Sequence, residues 1–432
     1  MKIAAAVGVV GVSFFTLSYV AFPQFTSLKY ASPETEARMN VSSDVVPVEE
    51  TIDTREVVTH VPIPESVKTI YMTSCVAGTP SMRANLVSLI EETEINSVII
   101  DIKDYSGTIS FAPTSSEWND AWENSKCGAR DMKEFVQSLH EKGIFVIARI
   151  TVFQDPFFAK TRPDLAVAKA SDGSVWHDRK GLSFIDVGAR DYWDHILLLS
   201  RDTYNIGFDE LNYDYVRYPS DGNMQDIAFP HSVKSEHGSD KPANLEAFFK
   251  YLNEKLDDET FFADVRHEDT GRASSTPWTS VDLFGMTTTN YDDLSIGQVI
   301  ERAAPHFDFI APMVYPSHYP NSFLGLGNPN DYPYKVVHYA MQGGVRRMYA
   351  TTTSVAGFAH TRIGTTTPAL YAKPAYTADK LRTWIQDFDY GGDYDAIDVR
   401  NQIQASYDAG VKSWMLWAPS NIYTRGALND AS

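Results

Sequence analysis

Gly207-Phe-Asp-Glu-Leu-Asn-Tyr-Asp-Tyr-Val-Arg-Tyr-Pro219 decides how this chain is read. Aromatic and β-branched residues crowd it, so it reads as a strand, and Pro219, which lacks an amide proton, stops the ladder. Side chains alternate across a strand, which puts Glu210, Asn212 and Asp214 on one face and Leu211 and Tyr213 on the other. Polar groups on one face and mostly apolar groups on the other fit a parallel barrel strand: the apolar face packs under helices and the polar face looks into the barrel. Asp214 then lies near the strand's C-terminal end, where (β/α)8 enzymes carry their chemistry.

Outward from that stretch, apolar bursts alternate with helical periodicity. Val67 to Ser74, Ser97 to Asp104 and Ile144 to Val152 read as the first to third strands, and the quoted stretch as the fourth. Thr279 to Gly285 and Phe307 to Pro316 follow as the fifth and sixth. Two segments compete for the seventh, Arg346 to Thr351 and Leu381 to Phe388. The second is favoured, because the helix Asp395 to Ala409 and an eighth strand, Lys412 to Pro419, follow it directly. Helical stretches at Met82 to Glu92, Asp131 to Lys142, Asp191 to Tyr204 and Leu245 to Leu256 separate the earlier strands. This alternation predicts one (β/α)8 TIM barrel over residues 67–432. A doubly wound sheet is the runner-up, but it wants a glycine-rich phosphate loop after its first strand, and Thr73 to Pro80 supplies none.

The formal net charge of −19 repels phosphate backbones, so nucleic acid is excluded as a partner, and anionic lipid is repelled as well. Any membrane association must then be hydrophobic. The uncharged run Ile3 to Phe22 is suited to it, with about the 20 residues that a spanning helix needs. No small-x-small cleavage site precedes Pro23, so residues 1–22 read as an uncleaved anchor in preference to a cleaved signal peptide. Either one places the rest of the chain outside the cytoplasm, membrane-anchored or secreted. Residues 23–66 mix proline, acids and Ser/Thr without period and read as an extended linker that packs on nothing. Cys75 and Cys127 are the only cysteines, and form either one disulfide or two inert thiols.

Under the barrel reading, polar residues collect at one end of the strands. The second strand offers Asp101, Lys103 and Asp104, the third Arg149, the fourth Glu210, Asn212, Asp214 and Arg217, and the fifth Asp282. The sixth offers Tyr315, the seventh Asp387 and the eighth Trp417. Buried charges have to be paired, so Arg149 and Lys103 are expected against Asp101 or Glu210. The inventory fits hydrolysis of a glycosidic bond, which needs one carboxylic acid to protonate the leaving oxygen and a second carboxylate to attack carbon or activate water. Neither cofactor nor metal is needed. Asp214 is the expected nucleophile or base, Asp282 the acid, and Asp387 a third carboxylate that stabilises positive charge on the sugar. Asp101, Lys103, Asp104, Arg149, Glu210, Asn212, Arg217, Tyr315 and Trp417 are the candidates for holding substrate; Trp278 and Tyr218 add flat faces for sugar rings. Other catalytic kits are missing: there is no G-x-S-x-G elbow and no H-E-x-x-H pair, and His177, His231 and His318 share no metal-ligand spacing.

Phe208 to Pro219, with Val281-Asp-Leu-Phe-Gly285, Ile310-Ala-Pro-Met-Val-Tyr-Pro316 and Thr383-Trp-Ile-Gln-Asp-Phe388, resembles the glycosidase-like family catalogued as domain of unknown function 4015. The resemblance runs from about Val67 to Tyr423, and the stretch Asp257 to Trp278 departs from its pattern. It implies a TIM barrel of glycosidase type, mostly in exported bacterial proteins. The expected function is therefore a hydrolase acting on a polysaccharide or oligosaccharide outside the cell. The alternative is a barrel that only binds carbohydrate or serves as an envelope scaffold, since a fold does not dictate a function.

Overall fold

The structure is a computed structural model of the 432-residue chain and describes residues 53–431. The apolar run of residues 1–22 and the part of the expected linker up to residue 52 lie outside the described residues.

Eight parallel strands close a barrel: β1 (Lys68–Met72), β2 (Ser97–Lys103), β3 (Phe145–Thr151), β4 (Glu210–Asp214), β5 (Trp278–Phe284), β6 (Phe309–Met313), β7 (Arg382–Gln386) and β8 (Ser413–Trp417). Neighbours run in sequence order, β8 pairs with β1, and β6 closes on β7 through Trp384 and Met313. The seventh strand is the favoured segment. Its competitor around Arg346 is the last turn of the helix Pro333–Tyr349, where Arg347 pairs with the buried Glu301.

The period of two sorts the side chains as expected. Outward residues such as Ile100, Ile150, Leu211, Tyr213 and Val281 pack under the helices in one continuous apolar core. Inward, Ile99, Ile147, Ala311, Trp384 and Met415 fill the barrel. Glu210 also points inward, but its partner differs from the expected one. The carboxylate takes Nη1 of Arg382 on β7, at 2.6 and 2.7 Å, across the barrel interior and away from β2. An eight-stranded barrel is just narrow enough for side chains from non-neighbouring strands to meet.

Lys103 is a second correction. Asp101 faces Arg149 on β3, but the register then slips and Lys103 faces Ile150. This bulge turns Lys103 out of the barrel. Its ammonium is fully buried under the helices, 3.0 Å from Asp155 and 2.7 Å from the Thr151 carbonyl, and touches neither Asp101 nor Glu210.

The third correction concerns the linker. Within residues 23–66, Val57–Thr59 form a strand that pairs in parallel with Arg266–Glu268. His60 then packs beside the N-terminal end of β4, against the helices Met132–His140 and Arg190–Asn205. Its ring bonds Asp209 at 3.2 Å and His267 at 2.9 Å, and stacks on Tyr204 at 4.6 Å. The stretch Asp257 to Trp278 thus serves this N-terminal end. Trp278, which starts β5, also sits there under Arg272 and against Phe309, remote from the face where sugar was expected.

Candidate active site

The C-terminal ends of the strands bring a charged cluster together around Arg149. One guanidinium nitrogen donates to Asp101 at 2.6 Å and another to Asp214, while Nε lies 3.9 Å from Asp282 with no hydrogen-bond partner. Three strands therefore aim carboxylates at the arginine of β3. Asp214 and Asp282 stand side by side, each one residue beyond the paired Tyr213 and Val281. Straight after Asp214 the chain turns through a left-handed residue, Tyr215 at φ +51°, whose amide donates back to Asp214. For a bulky aromatic this conformation is strained, and strain of that kind collects at functional sites.

The acids sit in different environments. Asp282 Oδ1 accepts from Trp384 Nε1 at 2.8 Å and from Asn212 Nδ2 at 2.9 Å. Burial, and then the neighbouring Asp214 carboxylate, push the Asp282 carboxyl well above the usual carboxylate range. Oδ1 is taken by two N–H donors, and Oδ2 is the oxygen nearer Arg149. Asp101 is pushed up by burial, against the pull of Arg149 and the Tyr71 hydroxyl. Burial opposes the charge on Arg149, but Asp214 and Asp101 outweigh it and raise its pKa well above the usual value.

Above this cluster opens a cleft of about 620 Å³, lined by Asp101, Arg149, Tyr71, Tyr215, Arg217 and Trp417 among others. Trp417 stacks on Tyr71 at 4.1 Å and lies 5.2 Å from the Arg149 guanidinium. Asp214 and Asp282 lie one layer lower, 3% and 1% exposed. Tyr315 is buried beside them, and burial with the two carboxylates raises its hydroxyl pKa.

Of the residues read from the sequence, the structure gathers Asp101, Arg149, Asn212, Asp214, Asp282, Tyr315 and Trp417 in one place, with Arg217 on the cleft wall. It leaves out four. Lys103 and Glu210 are paired elsewhere as described. Asp104 caps a local turn, accepting from the Ser106 amide at 2.8 Å and hydroxyl at 2.6 Å. Asp387 anchors the C-terminal segment, accepting from the Thr424 amide at 2.9 Å and hydroxyl at 2.7 Å, and does not line the cleft. The Arg149 guanidinium bridges Asp101 and Asp214, so the place where those acids would hold a divalent ion is taken. Tyr71 and Trp384 escaped the sequence reading although both lie on the inward register of their strands. Gln154 and Lys180 come from loops and carried no periodic signal.

Residues 69–423 match the model of a family described as "Putative glycosyl hydrolase domain", the domain of unknown function 4015. The chain belongs to this family. The match spans every barrel strand but the first residue of β1. Among solved structures, the glycoside hydrolase domain of PgaB from Bordetella bronchiseptica is 12% identical with a TM-score of 0.53, over 88% of this chain and 99% of that one. An α-galactosidase from Thermus thermophilus in complex with stachyose is also 12% identical, over 85% of this chain and 65% of that one, at a TM-score of 0.45. A hypothetical protein from Ruminiclostridium thermocellum is 24% identical over 46% of this chain and 95% of its own, at 0.38. At these identities the likeness is one of fold. No curated protein matches the sequence.

Proposed function

We propose that this member of the glycosyl hydrolase family cleaves glycosidic bonds of a polysaccharide, with Asp282 as the general acid and Asp214 as base or nucleophile. The observation that carries the reading is the asymmetry between two carboxyls at the ends of adjacent strands. Burial and the neighbouring Asp214 push the Asp282 carboxyl up, toward the protonated form that an acid needs, whereas Asp214 is paired with Arg149. Opposed states of neighbouring carboxyls are what acid-assisted cleavage requires. Substrate reaches them by displacing the Arg149 guanidinium, which lies between the acids and the cleft. Trp417 and Tyr71 offer ring faces for the sugar.

The test is a reducing-sugar release screen over a polysaccharide panel, followed by Asp214→Asn and Asp282→Asn. Each substitution is expected to lower kcat at least about a hundredfold, in the range of a lost general acid or base. Circular dichroism should stay unchanged. Near-normal turnover in either variant removes that residue from the mechanism, and Asp101 is then the next candidate. The anomer of the first product, followed by NMR, assigns retention or inversion.

The low exposure of Asp282 favours a second reading, a barrel that binds carbohydrate without cleaving it. It predicts polysaccharide binding that survives in the wild type with no sugar released. We place the barrel outside the cytoplasm, held by or released from the residue 1–22 segment. The uncharged run after Lys2 and the Cys75–Cys127 disulfide, a bond that persists in oxidising compartments, support this. Fractionation of cells with a protease-protection assay tests it.

A further inference from the structure

We propose that the cleft beside the acids binds a uronic-acid residue of an acidic polysaccharide, an inference that rests on the carbohydrate reading above. The cleft holds polar groups with nothing to bond. Gln154 is only 3% exposed, lines the cleft, and its side-chain amide has no hydrogen-bond partner. The buried Thr151 hydroxyl beside it has none either. Buried polar groups left without partners are costly, so this wall is built for a ligand rich in hydroxyls.

The charge of that ligand is read from the cations. The Arg217 guanidinium carbon lies over the Tyr215 ring, 4.7 Å from its centre, and 5.9 Å from that of Phe184. Only Nη1 is engaged, with the Tyr218 carbonyl at 3.2 Å and the Ser220 hydroxyl at 3.3 Å. Nε and the other terminal nitrogen form an unused fork, and no carboxylate lies within ion-pair distance. Such a fork, held in place by a ring, matches a planar carboxylate with two parallel hydrogen bonds. Lys180 lines the same cleft and is likewise without an ion pair. Asp178 and Asp221 line the same cleft, but neither is within ion-pair distance of Arg217 or Lys180; Asp178 instead accepts from the backbone amides of Lys180 and Leu182, both at 2.8 Å. A uronate carboxylate gives the Arg217 fork an acceptor that a neutral sugar lacks, and sets the sugar's hydroxyls against Gln154.

The experiment uses the Asp282→Asn protein, so that ligand is not consumed. Isothermal titration compares oligogalacturonate, oligoalginate and hyaluronan fragments with the carboxyl-reduced form of each. At least one acidic ligand should bind about tenfold or more tightly than its reduced form. Arg217→Gln in the same background should abolish that preference, read as the ratio of the affinities for the acidic and the reduced form. Lys180→Gln, at an exposed site with no fold to disturb, should weaken the preference as well. Absence of any acid preference, its persistence in Arg217→Gln, or equally tight binding of dextran sulfate overturns the proposal. Cleavage of a neutral polymer by the wild type, without acid preference, sinks this inference and leaves the hydrolase reading standing. Acid-selective binding with no cleavage does the reverse.

Discussion

Asp282 shows how a single side chain carries both chemistry and a cost. Its folded-state pKa is raised above the unfolded value of 3.8 by burial and by Asp214. Between those two values the folded chain holds a proton that the unfolded chain has lost. Stability therefore falls as pH rises through that window. Asp282→Asn keeps an oxygen for Trp384 and Asn212 and removes the titration. Its melting temperature is expected to match the wild type near pH 4 and to exceed it increasingly toward neutral pH, read by thermal melts across that range. A parallel pair of curves would mean that Asp282 is already ionised in the fold. Arg149 has the opposite sign. Arg149→Met leaves Asp101 and Asp214 buried without their counter-charge and is expected to cost about 3–5 kcal/mol at neutral pH, less in acid. Denaturant titration at two pH values measures it.

At the scale of the element, the strand Val57–Thr59 is held beside a cluster of titratable groups. His60 ties it to Asp209 and His267, and His140 bonds the other Asp209 oxygen at 3.0 Å. Burial, and then the nearby His60, lower the His267 pKa to about 3. The unfolded chain binds that proton near 6.5, so stability is lost as pH falls from 6.5 toward 3. Burial works against the Asp209 charge, but hydrogen bonds from His140 and His60 outweigh it and lower its pKa; its contribution too is present above 3.8 and fades in acid. Hydrogen-exchange protection factors over residues 54–62, taken against the intrinsic rate at each pH, are expected to fall between pH 6.5 and 4 before those of the barrel strands do. His267→Phe, which cannot titrate, should lower stability at pH 8 and flatten that acid slope. Unchanged slope in this variant would place the titration elsewhere.

The whole molecule is closed by long-range links. Glu210 and Arg382 join β4 to β7 through the barrel interior, 172 residues apart in sequence. Arg382→Met is expected to cost about 3–5 kcal/mol, because it leaves Glu210 buried alone. The Cys75–Cys127 disulfide ties the short helix Ser74–Ala77 after β1 to the segment before the helix Met132–His140, across 52 residues. A loop of that length implies about 4 kcal/mol in the chain-entropy account. The double variant Cys75→Ser/Cys127→Ser, or reduction with dithiothreitol, should lower the melting temperature with the cleft otherwise intact. The two effects should add, since the pairs share no partner.

Alternation along each strand was enough to place eight strands, to choose Arg382–Gln386 over the segment near Arg346, and to turn Glu210, Asn212, Asp214 and Arg149 inward. Those are local properties: hydrophobic period and the two faces of a strand depend on neighbours in sequence. Partner choice is not local. That Glu210 meets Arg382, that Asp387 binds Thr424 and that Asp214 shares Arg149 with Asp101 depend on which strands the closed barrel brings opposite one another. The bulge in β2 that sends Lys103 outward leaves no mark in the residue types around it. Asp282 was expected to be the acid, yet its apolar neighbours in sequence do not make it one: Val281 and Leu283 point to the helices. Its proton is held by burial and by Asp214, a residue 68 positions earlier in the chain. Electrostatics acts through space, so a sequence lists the charges, and only the folded chain sets the distances between them.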